Sequence, residues 1–389
     1  MSQPLESSDH RDFRHLVRDF ARAEVAPHVA QWDKDHHFPV DVVQKMGELG
    51  FFGLTAPEEL GGVGSDFTSL CIAIEELGRV DQSIGITLEA GVGLGINPIL
   101  TFGTQEQKER WLPDLIAGRR LAGFGLTEPG AGSDAGATRT KAVLDGEEWV
   151  VDGAKQFITN SGSEITSLVT VTARTGTREN GSAEISTITI PSGTPGFVVG
   201  PGYDKLGWHI SDTHPLTFDG VRVPADHLLG ERGRGYAQFL ATLDDGRIAI
   251  AALAVGCIQA CLDLCVEYSG QRTTFGKPIG AKQGVAFQVA DLATMAEVGR
   301  AMTYRAAALK DAGVTGLELK QAASIAKLYT SEAAVTATRI ATQVFGGYGF
   351  MEEYPVARFY RDAKILEIGE GTSEVQRMLI ARGLGLPVE

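Results

Sequence analysis

The feature that most constrains this chain is a double switch of hydrophobic period, from three-to-four residues to two and back again. Up to about residue 122 apolar residues recur at helical steps, as in LVRDFARAEVAPHVAQWD, VDVVQKMGELGFFGL and FTSLCIAIEELGRVDQSIGITLEAGVGLGI (67–96). TQEQKERWLPDLIAG (104–118) continues the pattern, with Thr104 as a natural N-cap. From about residue 123 the character changes to short Val/Ile/Thr runs of alternating polarity: EWVVDGAKQFITN, SLVTVTAR, EISTITIP, GFVVG and PLTFDGVRVP. Gly, Pro, Asn and Asp separate them, as in a module of β-hairpins. From Gly235 to about Arg382 three long, Ala-rich, apolar-striped runs restore the helical period and predict a helix bundle. The chain is therefore read as mainly α with a central β module: helices in 1–122, strands in 123–234 and a helical bundle in 235–389. We find no internal repeat or low-complexity tract.

Composition narrows the function classes. Of 389 residues, 43% are hydrophobic and 22% charged, an ordinary globular balance. The net charge of −14 argues against broad contact with phosphate backbones, so no nucleic-acid partner is expected. Residues 1–30 lack a signal-peptide apolar region and carry Glu6, Asp9, Asp12, Asp19 and Glu24, unlike an acid-poor transit peptide. No uninterrupted apolar run approaches the ~18 residues of a membrane span. The expectation is a soluble cytoplasmic protein with no membrane partner. Cys257, Cys261 and Cys265 share one helix face, a spacing that suits core packing rather than a metal, and Cys71 stands alone.

Glycine-rich stretches test for a nicotinamide enzyme. GAGSDAG (130–136) follows Thr-Glu-Pro rather than a buried strand, GVGLG (91–95) lies in a helical pattern, and neither has βαβ surroundings. There is no phosphate loop of the G-x-x-x-x-G-K-[ST] type. LTEPGAGSD (126–134), however, sits where helices give way to strands, with hydroxyls from Thr127 and Ser133 and open backbone at Gly130 and Gly132. It reads equally as a domain-joining turn and as a cradle for a planar ring and a pyrophosphate. EIGEGTSEVQ (367–376) places Glu370 between Gly369 and Gly371, and there a solvated hinge residue and a working base are both open readings.

Taken together, these stretches resemble the acyl-CoA dehydrogenase family, over roughly residues 10 to 385. The resemblance rests on LTEPGAGSD, VDGAKQFITNSG (151–162), KLGWHISDT (205–213), RVPADHLLGERGRGY (222–236), RTTFGKPIGAKQ (272–283), QVFGGYGFMEEYPVARFYRDAKI (343–365) and EIGEGTSEVQ. It implies an N-terminal helical domain, a middle β-barrel-like domain and a C-terminal four-helix bundle. It further implies FAD as cofactor, an acyl-CoA substrate, a homotetramer in which a neighbour completes the FAD site, and an electron-transferring flavoprotein as acceptor. By position, Phe124, Leu126, Thr127 and Gly132 would lie along the flavin loop, and Ser133 would meet the FAD pyrophosphate or the CoA arm. Phe157, Ile158 and Thr159 would cover the flavin; Arg272, Phe275 and Gln283 would reach FAD from the adjacent subunit. Gln343, Gly346 and Gly347 would receive the adenosine half, and Thr372 and Glu374 would touch FAD again. Asp244 and Arg247 match positions beside pantetheine and adenine, although a plain i, i+3 ion pair also explains them.

The implied reaction introduces a trans α,β double bond into the acyl thioester: Glu370 takes the α-proton and flavin N5 the β-hydride. Gly369 and Gly371 would let backbone approach the thioester carbonyl, with Gly371 counted among the substrate contacts. The sequence departs from common family choices at Gly369, Phe157 and Ala90, positions that bear on the length and branching of the acyl chain. The rival readings are an acyl-CoA oxidase, which usually has a further C-terminal domain, a DNA-binding relative with an added basic domain, and a non-catalytic CoA-binding scaffold.

Overall fold

A computed structural model describes residues 7–388. The first region holds helices α1 (Ser8–Phe20), α2 (Val29–Asp35), α3 (Val40–Glu48), α4 (Phe67–Val80), α5 (Gln82–Glu89), α6 (Asn97–Phe102) and α7 (Gln105–Ile116). Thr104 does cap α7, with the Gln107 side chain returning the bond to the Thr104 N–H. The run 67–96, read above as one helical stretch, is broken at Asp81. That residue is extended (φ −153°), and its carboxylate accepts from the N–H groups of Ser83 at 2.9 Å and Ile84 at 3.1 Å, so it starts a new helix. After α5 the chain continues as a wider, π-helical turn over Ala90–Ile96, where the glycines of GVGLG sit.

The central region forms an eight-stranded sheet, β1 (Leu121–Gly125), β2 (Lys141–Asp145), β3 (Glu148–Thr159), β4 (Thr166–Thr177), β5 (Ala183–Pro191), β6 (Phe197–Val199), β7 (Thr213–Pro224) and β8 (Leu228–Leu229). The order is β6-β7-β3-β2-β4-β5-β8, with β1 parallel to β4. The β2–β4 link is a single pairing, Lys141 with Arg174, so two halves fold toward each other. Between them lies a core of Trp149, Val151 and Ile158 from β3, Val169 and Val171 from β4, Ile188 and Ile190 from β5, and Leu216 and Phe218 from β7. Alternation puts the paired positions of each strand on one face, and Ile158, at an odd spacing from Val151, joins them past the register shifts at Val151/Gly153 and Lys155/Ile158.

The last region is α8 (Gly235–Gln271), a small hairpin of β9 (Thr273–Thr274) and β10 (Lys277–Pro278), then α9 (Gln283–Asp311), α10 (Gly316–Phe345), α11 (Pro355–Ala363) and α12 (Ser373–Gly383). Helix α8 packs against α4, α9 and α10, and one continuous apolar core joins the N-terminal helices to this bundle. By length and composition α8 could cross a membrane, yet 78% of its most apolar window is buried inside the fold, which marks a core helix. Cys257, Cys261 and Cys265 line that buried face.

Candidate active site

The residue that opens the site is Glu370, in the turn between α11 and α12. Its φ of +51° lies in the left-handed region, which a non-glycine residue occupies at a cost. Three neighbours hold it there. Gly371, also left-handed at φ +95°, offers its carbonyl to Lys327 Nζ at 2.8 Å and to Gln376 Nε2 at 2.9 Å. Thr372 caps α12 by accepting from the Val375 N–H. The turn is thus fixed from α10 and α12 together.

The Glu370 side chain points inward, and among the described residues no N–H or hydroxyl group donates to either carboxylate oxygen. It lies over α8 at Gly246: a Cβ built there would come 2.1 Å from Glu370 Oε2. Only glycine leaves room for the carboxylate. Burial pushes the Glu370 carboxyl up to about 7, against the pull of a hydrogen bond from the Glu89 carboxyl and of the Arg247 and Lys327 charges. Burial likewise brings Lys327 down to about 8. Arg247 is itself paired with Asp244, so the i, i+3 ion pair considered from the sequence is present, and the Arg247 charge acts on Glu370.

A second carboxyl faces the first. Glu89, the last residue of α5, is 1% exposed, and its oxygens likewise lack such donors. Burial, with Glu370 opposite, holds it far above the usual carboxylate range. Asn160, left-handed at φ +57°, ties the end of β3 to this helix through Nδ2 to the Thr87 carbonyl at 3.2 Å.

The flavin-loop residues assemble along β1 and β3. Phe124 stacks on Phe239 of α8 at 3.9 Å between ring centroids. Leu126 and Thr127 follow with carbonyls bonded to Lys155 Nζ at 3.2 Å and the Gln156 N–H at 2.9 Å. Beneath the loop is a buried pair that sequence reading missed: Lys155 reaches Glu128 at 2.8 Å. The Glu128 carboxylate also accepts from Thr138 and from the N–H groups of Arg139 at 2.7 Å and Thr140 at 3.1 Å. Burial would raise Glu128, but Lys155 and these donors reverse it and hold the acid at about 2. The available signal was a lysine on the inward face of a strand, two residues after Gly153. Above this support Gly130 and Gly132 face open space, Ser133 is exposed, Ile158 is buried and Thr159 half-buried. Phe157 is left-handed at φ +62° and 61% exposed, an aromatic ring held out on strained backbone.

A further group gathers at the far end of α8. Arg272 ends the helix, with its guanidinium 5.7 Å from the Tyr348 ring centroid. It lines a cavity of about 450 Å³ together with Gly346 and Gly347. Phe275, at the tip of the β9–β10 hairpin, is left-handed at φ +51° and 96% exposed. Gln283 and Gln343 are exposed nearby in sequence, and Glu374 stands exposed in the first turn of α12. Among the described residues six non-glycines have positive φ, and of these Phe157, Phe275 and Glu370 were singled out from sequence alone. Strained backbone concentrates where ligands are handled.

Comparison with known proteins shows the family. The acyl-CoA dehydrogenase N-terminal domain matches residues 7–119, the middle domain 123–221 and the C-terminal domain 233–385. The mitochondrial short-chain specific acyl-CoA dehydrogenase of Bos taurus is 45% identical, over 96% of this chain and 89% of its own length. Butyryl-CoA dehydrogenase of Megasphaera elsdenii superposes with a TM-score of 0.94 at 41% identity, covering 99% of this chain and 100% of that one. A chain from the solved structure of the electron transferring flavoprotein of Acidaminococcus fermentans matches as well, with TM-score 0.94, 41% identity and 99% of both chains covered. The chain belongs to the acyl-CoA dehydrogenase family and is an enzyme of acyl-CoA oxidation.

Proposed function

We propose that this enzyme desaturates a short acyl-CoA between its α and β carbons with Glu370 as the base, FAD as cofactor and an electron-transferring flavoprotein as acceptor. The observation that carries the reading is the Glu370 carboxylate: buried, with no N–H or hydroxyl donor and no ion pair among the described residues, and held on strained backbone by Lys327 and Gln376. A structural carboxylate would be paired. One left unpaired in an enclosed site is available to a substrate proton.

The residues present fit FAD. Gly130 and Gly132 leave the 126–134 loop open to close approach, Ile158 and Thr159 form a wall at the end of β3, and Phe157 projects from it. Bound FAD supplies the hydride acceptor. The chain contributes the remaining steps. Burial favours the proton-binding form of Glu370, so the carboxylate is a stronger base than a solvated one. The glycines flanking it permit its backbone N–H to approach a thioester carbonyl and stabilise charge developing there. Asp244 and Arg247 lie along α8 beside the base, where a CoA arm would run.

The exposed set of Arg272, Phe275, Gln283, Gln343, Gly346 and Gly347 supports an oligomer in which one subunit completes its neighbour's FAD site. A 96% exposed phenylalanine on strained backbone is a group shaped to be covered. The homotetramer expected from the family accounts for this. Purified protein should be yellow with about one FAD per chain. Anaerobic addition of butyryl-CoA should bleach the flavin; a colourless protein that takes up no FAD, or a flavin that no acyl-CoA bleaches, contradicts the proposal.

A further inference from the structure

We infer that the acyl group carries a cationic substituent beyond its β-carbon, with Glu89 as the residue that receives it; this rests on the dehydrogenase reading above. Glu89 is 1% exposed, and among the described residues no N–H or hydroxyl group donates to either of its oxygens. What faces it is another carboxyl, Glu370. Burying a carboxyl unpaired is costly, and a plain alkyl pocket gains nothing from having one.

The surroundings have the same sign. Glu89 lines a cavity of about 510 Å³ between the N-terminal helices and α8, and the cavity shares Gly246 with the base. Its lining carries Asp66, Asp245 and Asp311 besides Glu89, against one lysine, Lys310. The three aspartates already have work. Asp66 caps α4 through the Ser69 N–H at 2.8 Å and meets His10 at 2.8 Å. Asp245 pairs with Lys310 at 2.9 Å, and Asp311 accepts from the N–H groups of Phe67 at 2.7 Å and Thr68 at 3.1 Å. Glu89 alone of the four has neither a cation nor an N–H or hydroxyl donor, only the Glu370 carboxyl opposite. It faces Glu370, in a wall opened by Gly93, where a Cβ would lie 3.0 Å from Glu89 Oε1. A cation at the distal end of a short acyl chain would stabilise the ionised form of Glu89, which burial and the facing Glu370 otherwise disfavour. An acyl chain ending in a carboxylate would instead add a third negative group.

The test compares two thioesters of the same shape on the FAD-loaded enzyme: 4-(trimethylammonio)butyryl-CoA and its uncharged isostere, 5,5-dimethylhexanoyl-CoA. Flavin bleaching is followed by stopped flow, with butyryl-CoA as reference. The wild type should favour the cation in kcat/KM by roughly tenfold or more, as expected for a desolvated charge pair. Glu89→Gln should erase that preference while still bleaching with the uncharged isostere, and Glu89→Leu should do the same. The inference is overturned if the wild type handles the isostere as well as the cation, a comparison that needs no variant. It is equally overturned if both Glu89 variants keep the wild-type ratio. Bleaching by butyryl-CoA without any cation preference defeats this inference alone, whereas no bleaching by any thioester defeats the dehydrogenase reading.

Discussion

Glu370 combines strained backbone, a buried carboxylate and room secured by a glycine on another helix. Each feature has a consequence that can be measured. Because burial lifts the carboxyl to about 7, the base is protonated below that pH, so the bleaching rate should rise as pH passes through about 7. A rate flat from pH 6 to 8 would show an ordinary, solvated carboxylate. The same shift has a stability consequence. A carboxyl raised by folding holds its proton in the folded state between about 4.5 and 7 while the unfolded chain has lost it, so stability falls as pH rises through that window. Glu370→Gln should therefore melt higher than wild type at pH 8, by ~2 °C, and no higher at pH 4. At Gly246 an added Cβ would meet Glu370 Oε2 at 2.1 Å. Gly246→Ala should displace the base and cost about 10²-fold in flavin reduction with FAD content unchanged. Normal reduction in that variant would mean that Glu370 works from another position. Glu370 stood out in the sequence because a carboxylate between two glycines sits inside a long family motif. Lys327 was not, because one lysine in an Ala-rich amphipathic helix reads as solvent-facing, and only the packing of α10 against the 370 turn shows it buried.

The elements that frame the site were largely visible as changes of period, since alternation and helical stripes are local properties of a sequence. Two things were not local. The break at Asp81 lies within an unbroken apolar stripe and is set by a side chain capping the next helix. The support beneath the 126–134 loop joins Glu128 to Lys155, 27 residues apart in sequence. Removing the lysine alone should be severe. Lys155→Met leaves Glu128 buried without its counter-charge, at a cost of about 3–5 kcal/mol, and should loosen FAD. The double variant Glu128→Gln/Lys155→Met should recover much of that loss. Thermal melts followed by flavin fluorescence check both, and a single variant as stable as wild type would show that the pair carries little.

For the whole molecule, the three-region order could be read from the sequence, because each region builds a differently patterned core. Assembly could not, since a residue waiting for a partner chain looks in sequence like any exposed residue. The structure distinguishes Phe275 by pairing 96% exposure with left-handed backbone. Arg272→Ala and Phe275→Ser should weaken FAD retention, and that loss should steepen on dilution if the site spans two subunits. Mass measured against concentration alongside the bound-flavin ratio decides this. A monomer that keeps its FAD at high dilution would place the whole site within one chain.

All these levels meet in the claim that a buried, unpaired glutamate removes the α-proton. Anaerobic stopped-flow reduction of the flavin by acyl-CoA in Glu370→Gln, with Glu367→Gln alongside, tests it most directly. Glu367 is bonded to Lys364 on its own turn and should be dispensable. Glu370→Gln should keep FAD and still bind acyl-CoA, while its flavin bleaches ~10²–10⁴ times more slowly than wild type. Bleaching of Glu370→Gln at the wild-type rate would contradict the account.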